Sequence, residues 1–505
     1  MSTPVPPSVS FNLEQQRKRA KDLLRAARAG DSEALARLSA GRRQAAGESP
    51  RLALADAQYV VAREAGYPSW PKLVAAAHAG DVAAFKDAVR AADVPRARHL
   101  LASRHVRAVV NEPLFDFGQR AAHVAAGHEG MLGALIDAGA DLNLRSAWQN
   151  GPYTVLDNAT ESTASYLLAR GATLTPHVAA RLGWLDRLRA LLDADATLVH
   201  ARGGDGQQPL HQARTIAIAD LLLERGADID ARCIDHKSTP AQYALGDRPE
   251  VCRHLLARGA TPDIFMAARL GDVELATRLI AAEPSCLEAR INEPGYALVP
   301  PFNSYCWSLG FGLSPHDVAR RFGQTAVAVL LDASSPRRVR LLSALLAVDE
   351  AAVDAILASD PGLLSGLSRE DHGRLAHAIF HEHFAAASLM LRVGFDPMAP
   401  GIDGGSALHA ACWVGNVAMV ERLLGRGGVP LDLRDPVHQS PPLGWAAFGS
   451  VHRRARGADY PGVIDRLVAA GADIHAVGNV RGMSLLEMAA GDPATQEALR
   501  RHGAR

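Results

Sequence analysis

An all-α array of stacked helix pairs is the architecture this sequence predicts, and three observations predict it. The first is self-similarity: residues 167–202 align without a gap on residues 255–290, an offset of 88, with 16 identities in 36 positions that include LLARGAT and AARLG. The second is a shorter recurring unit inside each copy. A turn led by Pro or Thr precedes a short Ala-rich helix, a Gly, a Leu-rich helix and a Gly-Ala-Asp or Gly-Ala-Thr ending. The third is composition: 48% of 505 residues are hydrophobic, enough for a large core and too many for a disordered chain.

The same figures exclude several functional classes. With 54 basic against 54 acidic residues the chain has no overall field to draw in nucleic acid or an anionic membrane, so such a partner would need a local patch. Five widely spaced cysteines with no CxxC pair fit neither a disulfide framework nor a zinc ribbon. No apolar run reaches the roughly 18 residues of a membrane span. The expected location is cytoplasmic, and the expected state is a monomer.

Taken in order, residues 1–10 read as a disordered Pro/Ser leader, and residues 11–105 as a helical N-terminal cap of possibly diverged repeats. Ser10 or Asn12 can cap a helix from Leu13 that carries Leu23 and Leu24, and Gly30-Asp31 separates it from a second with Leu35 and Leu38. A third helix is expected over 52–65. A fourth over 72–79 is expected to break at Gly80-Asp81 before another. From 106 to 505 the repeat units follow one another, with a loop insertion at 292–312 and degenerate units at 334–400, where Val339, Leu342, Leu345, Val353 and Ile356 keep helical spacing without the Gly-Ala-Asp mark.

The clearest unit is DGGSALHAACWVGNVAMVERLLGRGGVPLDL at 403–433, in which Val417, Val420, Leu423 and Leu424 repeat at three and four. Its helix start Ala407-Leu408-His409-Ala410-Ala411, the related Pro209-Leu210-His211-Gln212-Ala213, and Gly-Ala-Asp at 139–141, 226–228 and 471–473 resemble the ankyrin repeat, a unit of about 33 residues. The resemblance covers roughly residues 115–505. It implies a solenoid of helix-turn-helix units with short finger loops, and a protein that binds other proteins through those fingers and its concave helix surface, as a scaffold or regulator without catalysis. Small alanines suit close helix stacking, and the terminal Gly supplies a left-handed helix end. His211 and His409 are assigned to hydrogen bonds with neighbouring backbone. The span from His211 to Gly226 is shorter than that from His409 to Gly427, so some units have a reduced first helix.

Candidate binding residues come from the irregular loops. Tyr296, Phe302, Tyr305, Trp307 and Phe311 fall within 16 positions, where an even spread of the aromatics would place about one. On a projecting finger they would be partner anchors; folded back, they would cover a weak junction. Trp148 and Tyr153 in RSAWQNGPY form a second candidate, and Asp235, His236 and Lys237 a polar finger tip.

Two other chemistries are weighed against this reading. In DHGRLAHAIFHEHF, at 371–384, His377 and His381 share a helix face at a two-histidine metal spacing, with Glu382 and His383 beside them. Ala378 stands where an HExxH motif needs its Glu, so a solvated helix face is favoured and no metal or cofactor is assigned. Arg17, Lys18, Arg19, Lys21, Arg25 and Arg28 make the first helix basic; without interleaved aromatics this too favours a solvated face over nucleic acid. His452, Arg453, Arg454 and Arg456 are read the same way, in an inter-repeat loop. No phosphate-binding, dinucleotide or nucleophile-elbow motif is present, so no reaction is expected.

Overall fold

The structure, a computed structural model, describes residues 13–41, 52–293, 295–454 and 456–505. The expected leader and the candidate caps Ser10 and Asn12 lie outside them. Every regular element among the described residues is a helix, and the chain divides into two compact units, Met1–Asp235 and His236–Arg505.

In the first unit, helix Leu13–Arg28 packs on Ser32–Gly41 and Leu54–Glu64 around a small core of Leu23, Leu24, Leu38, Val60 and Val61. Gly30, at φ 89°, breaks the chain between the first two, and Asp31 Oδ1 accepts from Ala34 N at 2.8 Å to start the second. The break expected at Gly80-Asp81 does not occur: one helix runs Trp70–Arg90. Its buried residues Leu73, Ala77, Phe85, Ala88 and Val89 stay in phase through Gly80, and their burial outweighs the roughly 1 kcal/mol a mid-helix Gly costs. Asp81, free of any capping duty, accepts from His105 Nε2 at 2.9 Å. Phe85 and Val89 begin the next core, which continues through Leu132, Leu135, Leu156 and Leu167.

The internal duplication is reproduced element by element. Pro176–Leu182, Leu185–Ala194 and the 3-10 turn Ala196–His200 recur 88 residues later as Ile264–Leu270, Val273–Ala282 and Pro284–Glu288. The shortened unit at His211 keeps only a single 3-10 turn, Pro209–Gln212, before its second helix Ile216–Glu224.

In the second unit the pairs stack in register. First helices Arg369–Phe380, Ala407–Trp413, Pro442–His452 and Leu485–Met488 pack each on the next, as do second helices Val417–Leu424, Tyr460–Ala469 and Pro493–Arg501. Leu408, Leu423, Leu443, Ile464 and Leu467 fill the seam between the two layers. Residues 334–400 form two helix pairs, Arg337–Leu346 with Glu350–Ser359 and Arg369–Phe380 with Phe384–Val393. His452 closes helix Pro442–His452 rather than lying in a loop.

Fingers join successive pairs and close on one backbone pattern. Phe115 N donates to Gln119 O, Gly203 N to Gln207 O and Gly401 N to Gly405 O, at 2.8–3.0 Å. At the tip of the last, Asp403 and Gly404 both lie at positive φ, and a Cβ on Gly404 would stand 2.4 Å from Pro436 of the following finger. Glycine is required there because the next finger rests on it. Buried histidines lock fingers to helices. His409 Nδ1 accepts from Ser406 N at 3.1 Å while its Nε2 meets Leu433 O at 2.9 Å, and His123 and His177 make the same forward contact to Tyr153 O and Gln207 O.

Candidate functional site

The insertion at 292–312 is an ordinary finger opened at its tip. Ile291 N donates to Leu313 O and Gly312 N to Ile291 O, both at 3.0 Å, the closure that Gly203 and Gln207 make with only three residues between them. Residue chemistry then sorts the inserted segment into an inner and an outer surface. Tyr305 is fully buried: its hydroxyl donates to Asp263 Oδ2 at 2.9 Å, and Gln242 Nε2 donates to the same oxygen at 3.0 Å. Asn303 donates to Gln242 Oε1, and Ser304 N to Ser238 Oγ. Tyr296, Val299, Cys306 and Leu309 are buried beside them. Tyr305 is therefore removed from the expected anchors; it pins the loop to the core, because its hydroxyl has a buried carboxylate to meet.

Phe302 and Trp307 face outward, 62% and 61% exposed. Phe302 sits at φ 58° with its N–H held by Asn292 Oδ1 at 2.9 Å, so the ring is displayed by a fixed backbone. Trp307 stands on the one-turn helix Tyr305–Ser308, two residues from Tyr305, with its ring 4.5 Å from that of His236 and 6.0 Å from that of Phe311. Lys237 is exposed next to His236.

Phe311 stacks on His381 at 6.1 Å, which brings together the aromatic loop and the histidine segment. The helix pattern predicts a solvated face for these histidines; instead, Phe311 covers His381, and neither faces open water. They line a cavity of about 550 Å³ with Arg290, Phe311, Asp317, Arg320, Arg321 and Arg374. Burial, reinforced by Arg374 for His377 and by His383 for His381, pushes each imidazole down to about 4. The loop returns to that helix through Glu293, whose carboxylate takes both terminal nitrogens of Arg374; burial alone would raise this carboxyl, but the guanidinium holds it below its ordinary value. Glu382 follows the helix end at φ 63° and pairs with Arg453, so it does not complete a ligand set with the two histidines.

The aromatic line continues beyond what the loops indicated. Phe380 stacks on Trp413 at 6.0 Å, Trp413 lies 6.2 Å from Phe448, and Phe448 meets His452 at 3.9 Å. These rings occupy late positions of three successive first helices. The signal in the sequence was an aromatic recurring about once per repeat length, at 380, 413 and 448.

Residues 403–436 match the Ankyrin repeat family model. This is the unit that supplies Trp413, and it contains the Ser406–His409 lock and the left-handed Gly427 after its second helix. No curated protein matches the chain.

The remaining expected anchors lie in the first unit. Trp148 is partly buried, edge-on to the 56% exposed Phe117 with ring centroids 5.1 Å apart. Tyr153 is a strut between fingers: its hydroxyl donates to Asp205, burial and that carboxylate hold the phenol well above its usual range, and its ring fills the space where a Cβ on Gly204 would lie. Asp235 accepts from Asn150 Nδ2 at 2.6 Å. Tyr153 and Asp235 are thus corrected to structural roles, since their polar ends are already satisfied within the unit. In the basic first helix, Arg19 pairs with Glu64, Arg25 with Asp22, and Arg28 donates to Leu52 O. Among the described residues no helix is long and apolar enough to cross a membrane.

Proposed function

We propose that this chain is a non-catalytic ankyrin-type array, a monomer of the cytoplasm, that binds a partner protein as a scaffold or regulator along the aromatic line beginning at Phe302 and Trp307. The observation that carries this is the outward display of those two rings on a loop whose two tyrosines, Tyr296 and Tyr305, are buried. Large rings held by a rigid backbone lose little conformational entropy on docking and are favoured as hot spots. Phe311, Phe380, Trp413 and Phe448 extend the surface across successive helix pairs. The family match at 403–436 supports binding of proteins in general.

The alternatives have less support. Glu382 is committed to Arg453, which weakens a metal centre at His377 and His381. Half of the six basic groups on the first helix are engaged within the protein, which weakens a nucleic-acid surface. The test compares affinity capture by wild type and by a Phe302→Ala, Trp307→Ala variant with unchanged helicity. Loss of a specific partner in the variant supports the reading, and equal recovery by both proteins overturns it.

A further inference from the structure

The cavity beneath the aromatic loop has a charge that its own walls do not balance. Arg320 is paired with Asp332 at 2.8 Å, and Arg374 with Glu293. Asp317 in the wall is occupied by Ser314, accepting from its N at 2.8 Å and its Oγ at 2.6 Å. Arg321 donates to Leu309 O at 2.7 Å and faces no carboxylate within ion-pair range among the described residues.

Arg290 is the exceptional member. It is only 8% exposed, and burial pushes its guanidinium down to about 10. Its one hydrogen bond among the described residues is a long 3.3 Å contact to Gly312 O. Asp317, Glu293 and Asp371 act on it from a distance, but none reaches ion-pair range among the described residues. A buried cation with only remote counter-charges is costly, and an anion entering the cavity would reduce that cost. A second unsatisfied donor adjoins it, the buried Nε of Arg374. The side chains of His377 and His381 make no hydrogen bond to a described residue, and, held neutral, each can donate one N–H to an oxyanion.

The rest of the cavity limits the shape of the ligand. Its volume of about 550 Å³ lies in the small-molecule range and excludes a folded partner. Guanidinium groups on several walls oppose a metal cation. The near-parallel pair of Phe311 and His381, with an interplanar angle of 19°, offers a flat wall for a ring.

We propose that this cavity binds a small phosphomonoester, with Arg290 meeting the phosphoryl group, His377 donating to it, and the Phe311–His381 wall seating an attached ring. A phosphoryl group suits the site better than a carboxylate because its three terminal oxygens can meet donors arriving from the finger and from the helix at once.

The test is isothermal titration of the full chain at low salt with phenyl phosphate, inorganic phosphate and phenol. Phenyl phosphate is expected to bind with one site per chain, inorganic phosphate at least ten-fold more weakly and phenol not at all. Arg290→Gln should weaken phenyl phosphate at least ten-fold. Should that variant not fold, Phe311→Ala, at a partly exposed position, supplies the test: it should weaken phenyl phosphate and leave inorganic phosphate unchanged. The Phe302→Ala, Trp307→Ala variant should bind phenyl phosphate like wild type, so this proposal and the partner surface fail separately. Absence of saturable heat with phenyl phosphate, unchanged affinity in a folded Arg290→Gln, or equal affinity for inorganic phosphate and phenyl phosphate overturns it.

Discussion

Tyr305 and Trp307 are two residues apart and should behave oppositely when altered. Tyr305→Phe keeps the ring and removes only the hydroxyl that donates to Asp263 Oδ2 at 2.9 Å. Asp263 is buried and retains Gln242 Nε2 and the N–H groups of Phe265 and Met266, each at 3.0 Å, so one of four donors is lost. A hydrogen bond to a carboxylate in such a setting contributes about 2 kcal/mol. Trp307→Ala removes a ring that is 61% exposed and whose ring contacts among the described residues are with His236 and Phe311, a change of under about 1 kcal/mol. Urea unfolding followed by amide exchange over 263–266 and 303–309 separates local release of the loop from unfolding of the whole unit. Tyr305→Phe should speed exchange in both segments and Trp307→Ala in neither. Full protection in Tyr305→Phe, with loss in Trp307→Ala, would refute the division of the loop into inner pin and outer display.

Gly404→Ala should destabilise by about 2–3 kcal/mol, from left-handed strain plus the clash with Pro436, whereas Gly427→Ala, at φ 70° with open space around it, should cost only about 1 kcal/mol of strain; equal thermal shifts would remove the finger contact from the account. Acid should destabilise the fold. Burial first of all depresses His123, His177, His316, His377, His381 and His409, so the unfolded chain binds more protons. Stability is therefore fully present above pH 6.5 and is lost as pH falls below that value, with His377 and His381, at about 4, contributing about 1–2 kcal/mol each by pH 5. Unfolding midpoints that stay level from pH 7 to 5 would contradict this. Burial also pushes the thiols up, to about 11 at Cys286 and about 12 at Cys252 and Cys306, and all five cysteines are buried. Native protein should thus resist a thiol reagent that labels it quickly in denaturant, and fast native labelling would show that the core is open.

How much was legible in the sequence depends on how local each cause was. Helix pairs were readable because Val417, Val420, Leu423 and Leu424 carry their own period, and the 88-residue offset fixed their order. Gly80-Asp81 misled, since whether a glycine ends a helix is decided by the apolar phase on either side; Leu73, Ala77 and Phe85 remain aligned across it, while Gly30 has no such continuation. Within the insertion, composition identified the aromatics but not their directions. Tyr305 turns inward because Asp263, far back in the chain, offers a buried acceptor. The cover over His377 and His381 is hidden for the complementary reason: the Phe311 ring that covers His381 comes from 70 residues earlier, and no pattern within 371–384 reports its arrival. Trp413 and Phe448 are not legible singly, because each is one ring in an ordinary helix and only their recurrence marks a line.

Site-specific photo-crosslinking tests the central claim most directly. A benzophenone side chain placed at Trp307 or at Phe302, with Val480 as an equally exposed control, would be irradiated in an extract of the source organism. The account predicts one protein adduct shared by positions 302 and 307 and absent at 480. Identical adducts at all three positions, or none at 302 and 307, would contradict an aromatic docking surface.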